Sequence, residues 1–332
     1  MAEASKRDFS INYKGIDCTK VLMAILVVAI HTLQLDAMTL PVLVSKSYNI
    51  LIGLAVPFFF VSSGFLLCNK LKIKDYPGNL QYMLGWLFRI LRLYLVWTII
   101  YLPYAVVGFC NENLGFLKSV VVYGRNVIFV GENYLSWPLW YLLAMIVAGM
   151  IYYLILLLRP RRFLPVLVVF AVSLVGIGYL IDSGLIQNGW YLSLFKNTRN
   201  GFFQGFPYMT IGFVVSAVGY SRNKLLMTIL LFVGVIIQLL GYKSGSYVTI
   251  YSLFSIVLSS SDSITLNENV CKAFRLTSVV IYFVHMLWAG LLIFSFKINS
   301  LSLFVSSLLL SIMTSYLVVR NRKSKLVRFL FE

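Results

Sequence analysis

The sequence predicts an all-α, polytopic transmembrane bundle of about ten helices with N- and C-termini cytoplasmic. Three observations carry that expectation. First, 60% of the 332 residues are hydrophobic and only 12% are charged, with a mean hydropathy of +0.88; soluble domains run about 45–50% apolar and about 25% charged. Second, the apolar runs are long and continuous, which excludes a barrel built of alternating segments of about ten residues. Third, basic residues are shared unequally between alternate loops. At roughly 30 residues per span plus loop the whole chain is used, so residues 1–332 are expected to form one integral membrane domain and no soluble domain.

The expected spans, in order, are residues 16–35, 48–69, 84–109, 138–158, 163–181, 202–220, 225–241, 246–261, 276–296 and 300–319. The first run is too long for a signal-peptide core and lacks a small-residue cleavage motif, so it remains as the first helix. Tyr76, Tyr82 and Trp86, Trp137, Trp140 and Tyr141, and Trp190 and Tyr191 fall at expected span ends, where amphipathic rings anchor at headgroup level. Residues 110–137 and 182–201 are the longest non-cytoplasmic connections and are expected to roof any outward-facing pocket.

The formal charge of +17 would suggest a nucleic-acid partner in a soluble protein. Here its placement gives it a topological cause, and no nucleic acid is expected. Eighteen of the 28 basic residues lie at the termini and in the connections near residues 70–74, 159–162, 222–224 and 272–275; Lys46, Lys118, Arg125, Lys196, Arg199, Lys243 and Lys297 occupy the other set, and Lys20, Arg89 and Arg92 fall inside spans. Lys and Arg collect on the cytoplasmic side, which orients the bundle. On that topology Cys18, Cys68 and Cys271 face the cytoplasm and Cys110 lies near the outer face, so no external disulfide pair is available.

Ionisable groups in lipid are costly and face a bundle interior or cavity. All 11 acidic residues fall in loops or at span ends, which argues against a carboxylate proton relay and against a paired-carboxylate hydrolase. Both histidines lie within apolar runs, His31 in VLMAILVVAIHTLQL and His285 in VVIYFVHMLWAGLL. Imidazole titrates near neutrality and can take a proton from a hydroxyl, which makes His31 the candidate base. Lys20 precedes it by 11 residues, about three helical turns, so both project from one face about 16 Å apart along the axis. A cation at the inner mouth and a base deep inside suit a long donor with an anionic head. Arg89 and Arg92 share a face near the same end, with snorkelling to headgroups as the plainer alternative. Tyr282 shares a helix face with His285 and is placed to orient its ring.

The ordered segments GIDCTKVLMAILVVAIH, VPFFFVSSGFLL, LFRILRLYLVW, WPLWYLLAMIV, NTRNGFFQGFPYMTIG and IYFVHMLWA resemble the acyltransferase-3 family of bacterial membrane acyltransferases across essentially the whole chain. The fourth and fifth segments are most similar to the branch with enterobacterial-antigen and exopolysaccharide acyltransferases and the membrane domain of vancomycin-resistance serine racemases. The family's basic residue, with ten residues between it and the first-helix histidine, maps onto Lys20 and His31. Family members usually carry Arg at the first of these, and Lys offers a point charge rather than a bidentate fork. The F-F-x-x-S-G element maps onto Phe59, Phe60, Ser63 and Gly64, and the third-helix arginines onto Arg89 and Arg92. The Glu that many lipopolysaccharide-modifying members carry after the fourth segment is absent here.

The resemblance implies a multi-pass protein of the bacterial cytoplasmic membrane. It would transfer an acyl group, acetyl in this reading, from cytoplasmic acetyl-CoA to a hydroxyl of a cell-envelope glycan or related small acceptor, with no metal. Residue chemistry assigns His31 to catalysis, Lys20, Arg89, Arg92 and Ser63 to the donor, and Arg199, Asn200, Tyr282 and His285 to the acceptor. Plainer alternatives are small-residue packing for Ser63-Gly64 and a helix cap for Arg199-Asn200. A serine transporter-like membrane domain without catalysis, and a non-enzymatic assembly subunit, are the other readings.

Overall fold

A computed structural model describes residues 13–33, 41–71, 76–112, 115–186 and 189–332. Lys6, Arg7, Lys72, Lys74, Glu3, Asp8, Asp36 and Asp75, counted above, and the side chain of Tyr76 lie outside the described residues. No strand occurs among the described residues. In hydrocarbon each backbone N–H and C=O must find its partner within the protein, and a helix supplies that partner locally. The helices are α1 (Lys14–Thr32), α2 (Val42–Gly53), α3 (Ala55–Lys70), α4 (Tyr76–Asn111), α5 (Phe116–Arg125), α6 (Trp140–Leu158), α7 (Phe163–Asp182), α8 (Gly189–Phe195), α9 (Phe206–Val218), α10 (Lys224–Leu239), α11 (Gly245–Ser260), α12 (Glu268–Ser295), α13 (Ser300–Arg320) and α14 (Lys325–Phe331).

Eight helical stretches among the described residues are long and apolar enough to cross a membrane, and all coincide with expected spans. The two other expected spans are α10 and α11, of 16 residues each. At 1.5 Å per residue they reach about 24 Å, short of a hydrocarbon core of about 30 Å, so their length alone does not make them spans. The ninth expected span, 276–296, begins two turns earlier as α12, capped where the Asn267 side chain accepts from the Asn269 amide.

Six helices close a ring: α1 packs on α3, α3 on α9, α9 on α6, α6 on α4, α4 on α12, and α12 on α1. The α3–α9 contact is backbone on backbone. A Cβ on Gly64 would lie 1.9 Å from the Met209 carbonyl oxygen, and one on Gly212 the same distance from that of Val61, the close approach that small residues permit between membrane helices. Tyr152 donates to Thr210 (3.1 Å) to join α6 to α9. Tyr101 and Tyr104 of α4 donate to the carbonyls of Phe283 (2.7 Å) and Leu287 (2.9 Å) on α12. Outside the ring, α7 backs α6 and α9, the α10–α11 pair leans on α3 and α1 through α11, and α13 covers α12 and α1.

Gly64→Ala should therefore destabilise the bundle by about 1–3 kcal/mol through overpacking, whereas Gly53→Ala, with open space at its Cβ, should stay within about 0.5 kcal/mol. Thermal unfolding in detergent checks both, and equal transitions would contradict the α3–α9 geometry.

Candidate active site

Both histidines lie on helices of the ring. His31, near the end of α1, is half-buried, while His285 of α12 is fully buried. Their rings face each other with centroids 5.5 Å apart at an interplanar angle of 26°. His31 also stacks on Trp137, 5.7 Å away at 28°. His285 Nδ1 lies 3.0 Å from the Ile281 carbonyl. A carbonyl only accepts, so Nδ1 carries the proton and the neutral ring presents a lone pair at Nε2. That Nε2 is buried without a hydrogen-bond partner among the described residues, and such an atom in a protein interior marks strain or function.

Tyr282 does not hydrogen-bond this imidazole: its ring packs edge-on to it at 6.4 Å, and its hydroxyl donates to the Pro138 carbonyl (2.5 Å), tying α12 to the short 3₁₀ turn Trp137–Leu139 ahead of α6. The Ile281 carbonyl holds the ring instead. Ser63 faces inward and pairs with the Tyr141 hydroxyl at 3.1 Å, with the Phe59 ring beside both Tyr141 and Tyr282. Gly64 is thus the close helix contact of the packing reading, while Ser63 is held by Tyr141. Trp137, Trp140 and Tyr141 are corrected in role. Trp140 and Tyr141 are buried, and Trp137, though partly exposed, packs on the candidate base.

At the other end of α1, Asp17 is buried and receives a two-pronged hydrogen bond from Arg275, Nε to Oδ1 at 3.0 Å and Nη2 to Oδ2 at 2.8 Å. Lys20, half-buried one turn along α1, feels both charges. Arg89 is exposed on α4, and Arg92 lies with its guanidinium 5.6 Å from the centre of the Phe329 ring, beneath α14. Of the cations expected at this end, Lys20 lies on α1 and Arg89 and Arg92 on α4, and Arg275 joins Lys20 from α12.

The two long connections do meet as a roof. Arg125 donates to the Ser193 carbonyl (3.2 Å), Phe129 packs on Phe195, and Arg199 pairs with Glu132 at 3.4 Å while lying over the Trp140 ring at 5.4 Å. Arg199 is exposed and near enough to His31 to act on it electrostatically. Asn200 is a cap. Its Oδ1 accepts from the Phe202 and Phe203 amides at the start of the π-helical turn Gly201–Gly205, and its Nδ2 donates to the Tyr191 hydroxyl. Burial pushes that hydroxyl up to about 12, so it stays protonated and donates onward to the Asn197 carbonyl. All four cysteines are free thiols, and among the described residues no three His, Cys, Asp or Glu side chains gather as a metal site.

Residues 13–320 match the family described as an acyltransferase domain, acyltransferase 3. The chain belongs to the acyltransferase-3 family. Among curated relatives, an amino-acid racemase of Enterococcus faecalis is 28% identical over 75% of the chain and 32% of its own length, and a serine/alanine racemase of Enterococcus gallinarum is 29% identical over 74% and 36%. The chain spans about a third of the length of these relatives. No solved structure matches it significantly.

Asn200→Ala, which strands two amides at a buried turn, should cost about 1–2 kcal/mol, and Arg199→Ala, which opens an exposed ion pair, less than about 1 kcal/mol. Urea titration of the folded protein checks the order, and the reverse order would contradict the cap.

Proposed function

We propose that this acyltransferase-3 protein is a membrane O-acyltransferase that moves an acyl group, acetyl in the simplest case, from cytoplasmic acyl-CoA to a hydroxyl of a cell-envelope glycan or a related acceptor in the bacterial inner membrane. The observation that carries the reading is the state of His31: a titratable ring on a membrane helix, stacked on both Trp137 and His285 and still partly open. A packing histidine in lipid gains nothing from remaining accessible. A base needs that opening.

In this reading a ring nitrogen of His31 takes the proton of the acceptor hydroxyl as its oxygen attacks the thioester carbonyl. The tetrahedral adduct then collapses, the carbon–sulfur bond breaks, and the thiolate takes the proton back from the imidazolium. Lys20, with Arg89 and Arg92 along α4, neutralises the donor's phosphates at the inner mouth, which supplies positioning. Ser63 lines the path of the donor. Arg199 meets the acceptor under the roof, with His285 beside it, while Tyr282 and Asn200 hold the walls through Pro138 and the Gly201–Gly205 turn.

His31→Ala should lower acetyl transfer by about 10²–10⁴-fold, the usual worth of a general base, while the protein still inserts and elutes as a single species. Transfer from labelled acetyl-CoA by purified protein is the measurement, and retained turnover would remove the proposal. Lys20→Arg should keep or improve use of the donor.

A second reading is a serine transporter-like membrane domain without catalysis, in keeping with a relative named as acting on serine and alanine. Serine uptake into liposomes with no transfer of label would favour it.

A further inference from the structure

We infer that Arg275, braced by Asp17, completes with Lys20 a bidentate anion site for the diphosphate of the donor's nucleotide. This inference rests on the acyl-CoA reading above and deepens it. Asp17 and Lys20 lie three residues apart on one face of α1, and Arg275 reaches that face from α12. The two partners of the ion pair differ in surroundings: the Asp17 side chain is 5% exposed and that of Arg275 51%. A guanidinium carries five N–H donors, and Asp17 takes two, so three remain on the open side. Lys20 alone offers a point charge, whereas a guanidinium offers the planar fork that matches phosphate oxygens.

The neighbouring charges leave this point positive. Glu268, which also acts on Arg275, is paired with Lys272 at 2.6 Å, and the Lys14 ammonium donates to the Ile264 carbonyl at 3.1 Å. On α4 the Arg92 guanidinium lies 5.6 Å from the centre of the Phe329 ring and adds to the positive charge at this end. Lys20 stands about 16 Å from His31 along α1, so a ligand anchored by its phosphates here would extend its thioester arm up the ring toward the base. Asp17 is a positioning residue, because it aims the guanidinium and makes no ligand contact of its own.

The test uses purified full-length protein and two acetyl donors, acetyl-CoA and the phosphate-free thioester S-acetyl-N-acetylcysteamine, with CoA binding followed by equilibrium dialysis. Arg275→Gln alone strands the buried Asp17 carboxylate, so the informative variants are Asp17→Asn/Arg275→Gln, which keeps a neutral hydrogen-bonded pair, and Arg275→Lys, which keeps charge and loses the fork. The double variant should bind CoA about 10–100-fold more weakly, the range of a charge-assisted hydrogen bond, and the ratio of kcat/KM for acetyl-CoA to that for the phosphate-free donor should fall by the same factor. Arg275→Lys should fall between. Unchanged CoA binding, or an equal loss on both donors that leaves the ratio intact, would reduce the pair to a structural pin and overturn the inference. CoA binding that is strong and Arg275-dependent in a protein that transfers from neither donor would uphold the site and overturn the acyltransfer reading instead; a wild-type protein that binds no CoA would overturn both.

Discussion

Helices α1 and α12 run parallel and are fastened at two points, and the rest of the site follows from that. At one end the buried Asp17 carboxylate is held by Arg275, and at the other His31 faces His285. A carboxylate inside a membrane bundle is tolerable only with a partner, because the cost of removing it from water is repaid by close, geometrically matched pairing. The ion pair sets the register of the two helices, and that register brings two imidazoles from distant parts of the chain within 5.5 Å. A slip of one residue on either helix would turn each side chain about 100° and separate both pairs.

Around this seam the other elements act as buttresses. Ser307 of α13 donates to the His285 carbonyl at 2.8 Å, and Tyr101 and Tyr104 of α4 donate to carbonyls on the same helix. Tyr282 ties α12 to the turn that carries Trp137, and Trp137 closes one side of His31. The α3–α9 contact through Gly64 and Gly212 narrows the opposite wall and presents Ser63 to Tyr141. His31 and Lys20 are half-buried and Arg275 is exposed, so each keeps accessible surface.

Much of this was legible in the sequence, for reasons that also explain what was not. Hydropathy locates membrane helices because lipid forbids unpaired backbone, and a histidine within an apolar run stands out because its cost is unusual. The 11-residue spacing placed Lys20 and His31 on one face. Arg275 escaped because hydropathy ends a span at its last apolar residue, whereas α12 continues two turns further on the Asn267 cap. Trp137 and Tyr141 escaped because composition does not separate a ring anchored at headgroups from one turned inward. Asn200 carries a cap signal and a binding signal at once, and only the positions of the Phe202 and Phe203 amides show its side chain consumed.

The central claim is that one accessible path joins the Lys20–Arg275 end of α1 to the His31 ring. It is tested most directly by an experimental structure of the full-length protein with a non-transferable thioether analogue of acetyl-CoA. The account predicts the diphosphate against Lys20 and Arg275 and the carbonyl carbon facing a His31 nitrogen with room for one acceptor hydroxyl between them. An analogue bound elsewhere, or bound at that end with its acyl group turned away from a His31 ring sealed by apolar side chains, would contradict it.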